Sequence, residues 1–257
     1  MRQQSRIQIT VRTTLIGGAL PLICLPLVAQ DRKTLLKQTE DLVGLQPDLL
    51  EWRVDEYRNL QNPADCIPLL QAIRTRAGDL PLIFTCRIDR EGGFQKISQK
   101  RRLELITHAI QSGFVEIVDI ELCNEKPFIE SVKVTAEEHG VKLIFSHHNF
   151  DHTPSEEFIC NTLKNAQTAG AHIAKIAVMP QNYGDVLTLL SGTRKARNRG
   201  VEIPMVTISM GTEGVLSRLA GGLFGSDITF AAGNKSSAPG QTSINDLRAA
   251  MSLLYQV

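Results

Sequence analysis

Short runs of apolar residues recur along the chain at nearly regular intervals. Each run is short enough to be a strand rather than a helix, and polar or turn-forming residues bound most of them. Eight such runs occur, at residues 22–27, 49–54, 82–86, 114–120, 141–145, 173–179, 204–209 and 227–231. The pattern therefore predicts eight strands.

Most of the intervals between these runs have the apolar spacing of an amphipathic helix. The interval 34–43 is one example, and 155–164 is another, with Ser155 placed to cap its first turn. A third predicted helix, 243–254, carries apolar residues on one face. The residues that we expect to face the core in the last two helices are Phe158, Ile159, Leu163, Ile244, Leu247, Met251 and Leu254.

Eight strands alternating with helices predict an α/β protein with a (β/α)8 TIM-barrel fold, and 257 residues is an ordinary length for it. A doubly wound open sheet shares the alternation, but it usually has fewer strands and often a glycine-rich turn after the first. Here Ala-Gln-Asp follows the first strand, at 29–31. The alternating segment 6–12 predicts a short N-terminal β-hairpin with 14–16, covering one barrel end. We expect a single barrel domain over 1–257.

Residues 15–29 also have features of a secretory signal peptide, since they are apolar, follow three arginines and end in Leu-Val-Ala. The barrel needs 22–27 as its first strand, so we interpret the segment as a strand. It is too short and too rich in glycine and proline for a transmembrane helix.

Composition narrows the class of protein further. Hydrophobic residues make up 42% and charged residues 21%, and the net charge is +1, so nothing indicates a nucleic-acid or membrane partner. The five cysteines are irregularly spaced, without a C-x-x-C pair, which predicts reduced thiols in a cytoplasmic protein rather than disulfides or a zinc site.

Charged and polar residues concentrate where the predicted strands end, which is where barrel enzymes carry their active sites. A polar rim without chemistry is the alternative, but ionic residues at the same end of so many strands favour an active site. The residues in question are Glu51, Arg53, Asp55, Thr85, Arg87, Glu91, Asp119, Glu121, Ser146, His147, His148, Ser209, Ser237 and Gln241.

Lys175 lies in the middle of an apolar strand, and alternation places it inside the barrel with Ile173 and Ala177. Burying an unpaired ammonium is costly, so the lysine either forms a structural ion pair, for example with Glu51, or acts as a Schiff-base nucleophile. Only the neutral amine attacks a carbonyl. We expect burial and nearby arginines to favour that form, and nearby carboxylates to oppose it. The arginines considered are Arg53, Arg87 and Arg218.

Imine chemistry also needs a proton shuttle, for which histidine suits neutral pH. His147 and His148 are adjacent, so they point to opposite faces of their strand, and alternation alone does not decide which enters the site. Glu91, in a glycine-flanked loop, can hold the chosen histidine in one tautomer. The spacing of His147, His148 and His152 matches no standard ligand pattern, so we predict no metal.

Arg218 lies near the start of a predicted short helix after the seventh strand, where it can grip a substrate carboxylate or phosphate. The glycine-rich segments 211–214 and 221–225 permit a phosphate site there. Ser-Ala-Pro-Gly-Gln at 237–241 is typical of a mobile lid whose hydroxyl and amide reach the substrate, although a plain loop has the same composition.

Six motifs in order match one family. They are Glu-Trp-Arg-Val-Asp at 51–55, Thr-x-Arg-x-x-x-Glu-Gly-Gly at 85–93, Ser-x-His-Asn-Phe at 146–150, Lys-Ile-Ala-Val-Met at 175–179, Glu-Gly-x-x-Ser-Arg-Leu-Ala-Gly at 213–221 and Ser-Ala-Pro-Gly-Gln at 237–241. From about Pro21 to its C-terminus, the sequence resembles the type I 3-dehydroquinate dehydratases of the shikimate pathway.

The resemblance implies a (β/α)8 hydro-lyase that usually forms dimers and needs no metal or cofactor. Lys175 would form an imine with the ketone of 3-dehydroquinate. His148, not His147, would be the general acid/base, oriented by Glu91, and the product would be 3-dehydroshikimate. Arg218 would bind the ring carboxylate. The remaining implied site residues are Glu51, Arg53, Arg87, Ser237 and Gln241 for the ring hydroxyls and lid, and Met210 and Phe230 for the pocket wall.

Two rival functions remain. A class I Schiff-base aldolase acting on a phosphosugar shares the fold and the lysine, but needs a phosphate where Arg218 is placed for a carboxylate. A catalytically inactive barrel kept as a binding or scaffold protein is the other rival. It would bind dehydroquinate without turning it over.

Overall fold

The computed structural model describes residues 2–233, 240 and 242–255. In these ranges, strands and helices alternate after a short N-terminal hairpin. The strands are β1 (Ile9–Val11), β2 (Thr14–Ile16), β3 (Leu22–Leu27), β4 (Leu49–Arg53), β5 (Leu82–Thr85), β6 (Ile117–Glu121), β7 (Lys142–Asn149), β8 (Ile173–Val178), β9 (Met205–Ser209) and β10 (Ile228–Phe230). The helices are α1 (Arg32–Gly44), α2 (Pro63–Ala77), α3 (Gln99–Gln111), α4 (Lys126–Glu138), α5 (Glu156–Thr168), α6 (Tyr183–Asn198), α7 (Val215–Phe224) and α8 (Ile244–Tyr255).

The last eight strands form one parallel sheet in the order β10-β3-β4-β5-β6-β7-β8-β9. Its two ends meet at Asp227, whose backbone N–H donates to the Met205 carbonyl at 2.6 Å, while its carbonyl accepts from the Leu22 N–H at 2.8 Å. The sheet therefore curves into a nearly closed barrel, and the predicted (β/α)8 fold is confirmed.

Alternation along the strands separates two apolar cores. Residues that face the barrel axis form an inner core, which includes Leu49, Ile117 and Ile173. Residues of opposite parity, such as Trp52 and Phe84, pack between the strands and the helices. Because each strand is buried on both faces, polar residues on its inner face must find partners inside the barrel.

The hairpin of β1 and β2 covers the N-terminal end of the barrel. Val11 and Ile16 pack into the inner core, and Arg12 pairs with Glu116, which lies just before β6. The predicted hairpin is confirmed, with its first strand restricted to Ile9–Val11. The hairpin lies at the end of the barrel opposite to the polar strand ends.

Some local predictions need correction. Strand β7 continues four residues beyond its apolar run, to Asn149, and includes both histidines at its end, while β6 begins three residues later than its apolar run. Ser155 caps α5 as predicted, but Phe158 is 45% exposed, and Leu254 in α8 is 39% exposed. Phe158 lies in the first turn of its helix, where its ring covers His147 instead of the core.

Candidate active site

The C-terminal strand ends surround a cavity of about 540 Å³, including its open mouth. Eight predicted site residues line it: Glu51, Arg53, Arg87, His148, Lys175, Met210, Arg218 and Phe230. Glu91 contacts His148 from behind. Ser237 and Gln241, the predicted lid residues, lie outside the described residues.

Lys175 extends from β8 into this cavity and is only 5% exposed. Its Nζ donates to Asp119 Oδ2 at 2.8 Å and to Glu51 Oε1 at 3.5 Å, and it lies 4.8 Å from the centre of the Phe230 ring. The three arginines expected near this lysine line the same cavity, but the groups that contact its nitrogen are carboxylates, and one of them is Glu51, the ion-pair partner that the sequence suggested. The reason is energetic, since an ammonium buried among cations alone would be left without compensation.

Asp119 was predicted to lie at a strand end, but no role was predicted for it. Besides Lys175, it accepts from Arg87 Nη2 at 2.9 Å and from Ser146 Oγ at 2.6 Å. Arg87 continues the network to Glu121 at 2.9 Å. The donors of Arg87 are thus directed at the protein's own carboxylates and hydroxyl, which fixes the floor of the cavity.

The charge of Asp119 is stable in this position. Burial alone would raise the pKa of its carboxyl, but Arg87 and Lys175 together outweigh burial and hold that pKa well below its ordinary value. Asp119 therefore remains an anion beside the lysine at any pH near neutrality. Parity would have placed Asp119 inside the barrel, since it is two residues after the inward Ile117.

His148 and Glu91 form a fixed pair. Glu91 Oε2 accepts from the backbone N–H of His148 at 2.9 Å and lies 3.1 Å from its Nδ1. A carboxylate in this position selects the tautomer that carries its proton on Nδ1 and leaves Nε2 as the acceptor. Glu91 ends a tight turn that Gly92 permits by adopting a φ of +84°.

His147 occupies the opposite face of β7, as alternation predicts. Its ring packs against Phe158, with ring centres 5.5 Å apart, and is not part of the cavity lining. Burial lowers the pKa of both histidines, so geometry and not pKa distinguishes them.

The pKa of His148 lies well below the ordinary value for histidine. Burial is the largest cause, and the positive charges of Arg87 and Lys175 act in the same direction, while Asp119 opposes them. The imidazole is therefore neutral near pH 7. A neutral histidine with a defined tautomer, lining an open cavity, is suited to removing a proton.

Lys175→Met is expected to raise the pKa of His148, because it removes one of the cations that lower it. Histidine-selective NMR titration measures this directly. Lys142→Met is the matched control. The positive charge of Lys142 lowers the pKa of His172 and is the second cause of that shift, after burial. We expect each variant to raise the pKa of its own histidine. A pKa of His148 that does not respond to the loss of Lys175 would contradict the electrostatic coupling.

Arg218 lies in the first turns of α7 and is buried at the cavity wall. Its Nη1 donates to the Phe230 carbonyl at 3.2 Å, which links α7 to the end of β10. Burial lowers the pKa of Arg218 to about 10, so the guanidinium keeps its charge near neutral pH. A buried guanidinium at the mouth of a cavity is well suited to a small anion.

Arg53 closes another side of the cavity. Its guanidinium makes two hydrogen bonds to Asp55, at 3.0 and 2.8 Å, and one to the Gly92 carbonyl at 3.1 Å. These bonds connect the end of β4 to the turn that holds Glu91.

Two further properties concern the whole described region. It contains no group of three or more His, Cys, Asp or Glu side chains arranged to hold a metal ion. Across the same residues, every helix is too short or too polar to cross a membrane.

The fold and the site define a class of protein, a (β/α)8 barrel with an enzyme-like site of buried lysine, carboxylate-paired histidine and buried arginine at its strand ends. The model of the Type I 3-dehydroquinase family matches residues 23–257. The chain belongs to this family, and the resemblance of its motifs is confirmed.

Individual relatives agree with the family match. The chain is 41% identical over 249 residues to the 3-dehydroquinate dehydratase of Geobacillus thermodenitrificans, covering 96% of each protein. It is 42% identical to that of Aromatoleum aromaticum, covering 93% of this chain and 92% of the relative. The crystal structure of the Geobacillus kaustophilus 3-dehydroquinate dehydratase superposes with a TM-score of 0.95, at 42% identity and 98% coverage of both chains.

A second solved structure is the type I enzyme of Clostridium difficile with covalently modified comenic acid. It superposes with a TM-score of 0.94 at 37% identity, covering 100% of this chain and 99% of the other.

Proposed function

We propose that the protein is a 3-dehydroquinate dehydratase that eliminates water from 3-dehydroquinate through an imine on Lys175. Family membership and the names of the relatives support the reaction. The observation that carries the mechanism is that Lys175 and a neutral, carboxylate-held His148 line one cavity. An imine enzyme needs a nucleophilic amine and a proton-transfer group at the same substrate.

The first step forms a bond between Lys175 Nζ and the ketone carbon of the substrate. Two of the three ammonium protons leave with the ketone oxygen as water. The third stays on the nitrogen, so the protonated imine keeps one positive charge in the place of the ammonium. Asp119 and Glu51, which contact the ammonium, are then positioned to stabilise the iminium as well. The two carboxylates that contact the lysine thus also favour the covalent intermediate.

The second step is the elimination. The iminium withdraws electrons from the neighbouring C–H bond, so its proton becomes acidic enough for the neutral imidazole of His148. The electrons of that bond form the ring double bond, and the hydroxyl on the next carbon leaves with a proton returned by His148. Hydrolysis of the imine then releases 3-dehydroshikimate and regenerates Lys175.

Substrate orientation is assigned to the arginines and the apolar wall. Arg218 binds the ring carboxylate, while Glu51, Arg53, Ser237 and Gln241 serve the hydroxyls and the lid. Arg87 supports them from the cavity floor, where its donors are bonded to Asp119, Glu121 and Ser146. Met210 and Phe230 line the apolar wall, and the Phe230 ring also faces the Lys175 nitrogen. This arrangement favours a carboxylated ring over the phosphosugar of an aldolase.

Arg218→Met is expected to lower kcat/KM for 3-dehydroquinate by about 10- to 100-fold, the factor that corresponds to one charged hydrogen-bonded contact. Most of the loss should appear as a higher KM, because the carboxylate is bound before and during the reaction. Exposed Arg101→Met is the matched control and should leave both constants unchanged. An Arg218→Met enzyme with unchanged KM would contradict the assignment.

The test of the function is a steady-state assay of the purified protein with 3-dehydroquinate. The product is a conjugated enone, so its ultraviolet absorbance reports turnover. Turnover of 3-dehydroquinate, with no cleavage of a panel of phosphosugars, supports the proposal. Cleavage of a phosphosugar without dehydration would favour the aldolase, and binding without turnover would favour the inactive barrel.

We also propose that the enzyme works without a metal or cofactor, as one barrel domain, in the cytoplasm and as a homodimer. The chemistry above uses only side chains of the chain itself, and all five cysteines are free thiols. Light scattering after size-exclusion chromatography tests the homodimer.

A further inference from the structure

Cys123 differs from the other cysteines of the chain. Cys24, Cys66, Cys86 and Cys160 are buried, whereas Cys123 is exposed and follows the end of β6. It is nonetheless tied to the active site, because its Sγ lies 3.0 Å from Glu91 Oε1.

The two oxygens of Glu91 have separate partners. Oε2 accepts from the backbone and is paired with the ring of His148, and Oε1 accepts from the Cys123 thiol. Arg90 holds the cysteine in turn, with Nη2 at 3.2 Å from Sγ and 3.3 Å from its carbonyl. The thiol therefore fixes the rotation of the carboxylate that orients His148.

We propose that Cys123 is a positioning residue for the reaction, and that covalent modification of its thiol impairs catalysis by releasing Glu91 from His148. The inference rests on the proposed function, since it concerns the histidine that transfers the proton. Cys123 does not line the substrate cavity, so it acts through Glu91.

The protonation states agree with this geometry. The residue is exposed, but its sulfur is partly buried against Glu91. This partial burial and the hydrogen bond to Glu91 raise the pKa of Cys123 to about 11, so the sulfur carries its proton near pH 7 and donates it. Burial raises the pKa of Glu91, and the bond from Cys123 acts against that rise. Loss of the thiol donor would therefore weaken Glu91 as the anion that holds His148.

A separate cavity gives access to the thiol from outside the barrel. Cys123 lines it together with Ile97, Arg90, Arg102 and Asn124. None of these residues lines the substrate cavity. A small reagent can therefore reach Cys123 without entering the active site, and bound substrate should not protect it.

The first test compares Cys123→Ala with Cys123→Ser. Alanine removes the donor and should lower kcat by about five- to tenfold, the effect of one ordinary hydrogen bond since a thiol is a weak donor, with KM nearly unchanged. Serine keeps a donor and should restore most of the loss. Equal kcat values for wild type and Cys123→Ala would overturn the inference, as would a Cys123→Ser enzyme as impaired as the alanine variant.

The second test uses methyl methanethiosulfonate on the intact enzyme. The cysteine sulfur attacks the sulfenyl sulfur of the reagent, forming a disulfide to a methylthio group. Methanesulfinate leaves and the thiol proton passes to solvent. We expect labelling to lower kcat at least as much as Cys123→Ala does, and dithiothreitol to reverse the loss. The Cys123→Ser enzyme should keep its kcat in the presence of the reagent. Complete labelling of Cys123 with unchanged kcat would overturn the inference.

A third readout separates this inference from the proposed function. Nitrogen NMR of the His148 ring, in protein without substrate, reports its tautomer. The Nδ1-protonated form should dominate in wild type and Cys123→Ser and decrease in Cys123→Ala. If the tautomer is unchanged, the inference fails whatever the activity is. If wild type lacks dehydratase activity, the proposed function fails, but the tautomer measurement still tests whether Cys123 positions His148 through Glu91.

Discussion

Lys175→Ala is expected to lower kcat for 3-dehydroquinate by at least about 10⁴-fold, the scale on which loss of a covalent nucleophile acts. No other lysine lines the described cavity, so no second amine can replace it there. The variant should also lack any covalent adduct with the substrate. Steady-state kinetics at saturating substrate measure the effect.

The control for this variant must separate chemistry from folding. Arg87 and Ser146 still hold Asp119 when the lysine is absent, so we expect Lys175→Ala to fold, and circular dichroism with a thermal melt checks this. Exposed Lys100→Ala should retain full activity. A folded Lys175→Ala enzyme within tenfold of wild type would exclude imine catalysis.

His148→Ala is the second large effect. We expect kcat to fall by about 10²- to 10⁴-fold, the usual contribution of general acid–base catalysis, because no proton acceptor remains at the elimination step. Imine formation should survive the change, so borohydride should still trap substrate on Lys175. Lost turnover together with a retained adduct would show that His148 acts in a step that follows imine formation.

His147→Ala is the matched control, since it removes the neighbouring imidazole from the other face of the same strand. Its ring packs on Phe158 outside the cavity, so kcat should stay within about threefold of wild type, with at most a loss of stability. If His147→Ala lost turnover and His148→Ala kept it, the assigned roles would be reversed.

The barrel could be predicted from the sequence because it depends on local periodicity. Apolar runs of strand length, separated by amphipathic segments, leave few other topologies. Alternation also placed Lys175 inside the barrel and the two histidines on opposite faces of β7. It did not identify which histidine faces inward, since one residue of register reverses the answer, and the motif of the family resolved that point.

Of the two carboxylates that contact Lys175, Glu51 was predicted from the sequence and Asp119 was not. Asp119 lies on β6 and Lys175 on β8, so their 2.8 Å contact crosses the barrel interior past β7. Such a contact depends on the tilt and stagger of the strands, which composition and spacing do not report. The prediction that Phe158 faces the core failed for a local reason, because a residue in the first turn of a helix can leave the buried face.

The central claim is that the substrate ketone becomes an imine on Lys175. The most direct measurement is mass spectrometry of the protein after sodium borohydride treatment with 3-dehydroquinate, followed by peptide mapping. Hydride addition to the imine carbon leaves a stable secondary amine, and we expect the added mass on the peptide that contains Lys175. Folded, active protein with no adduct, or with an adduct on another lysine, would contradict the account.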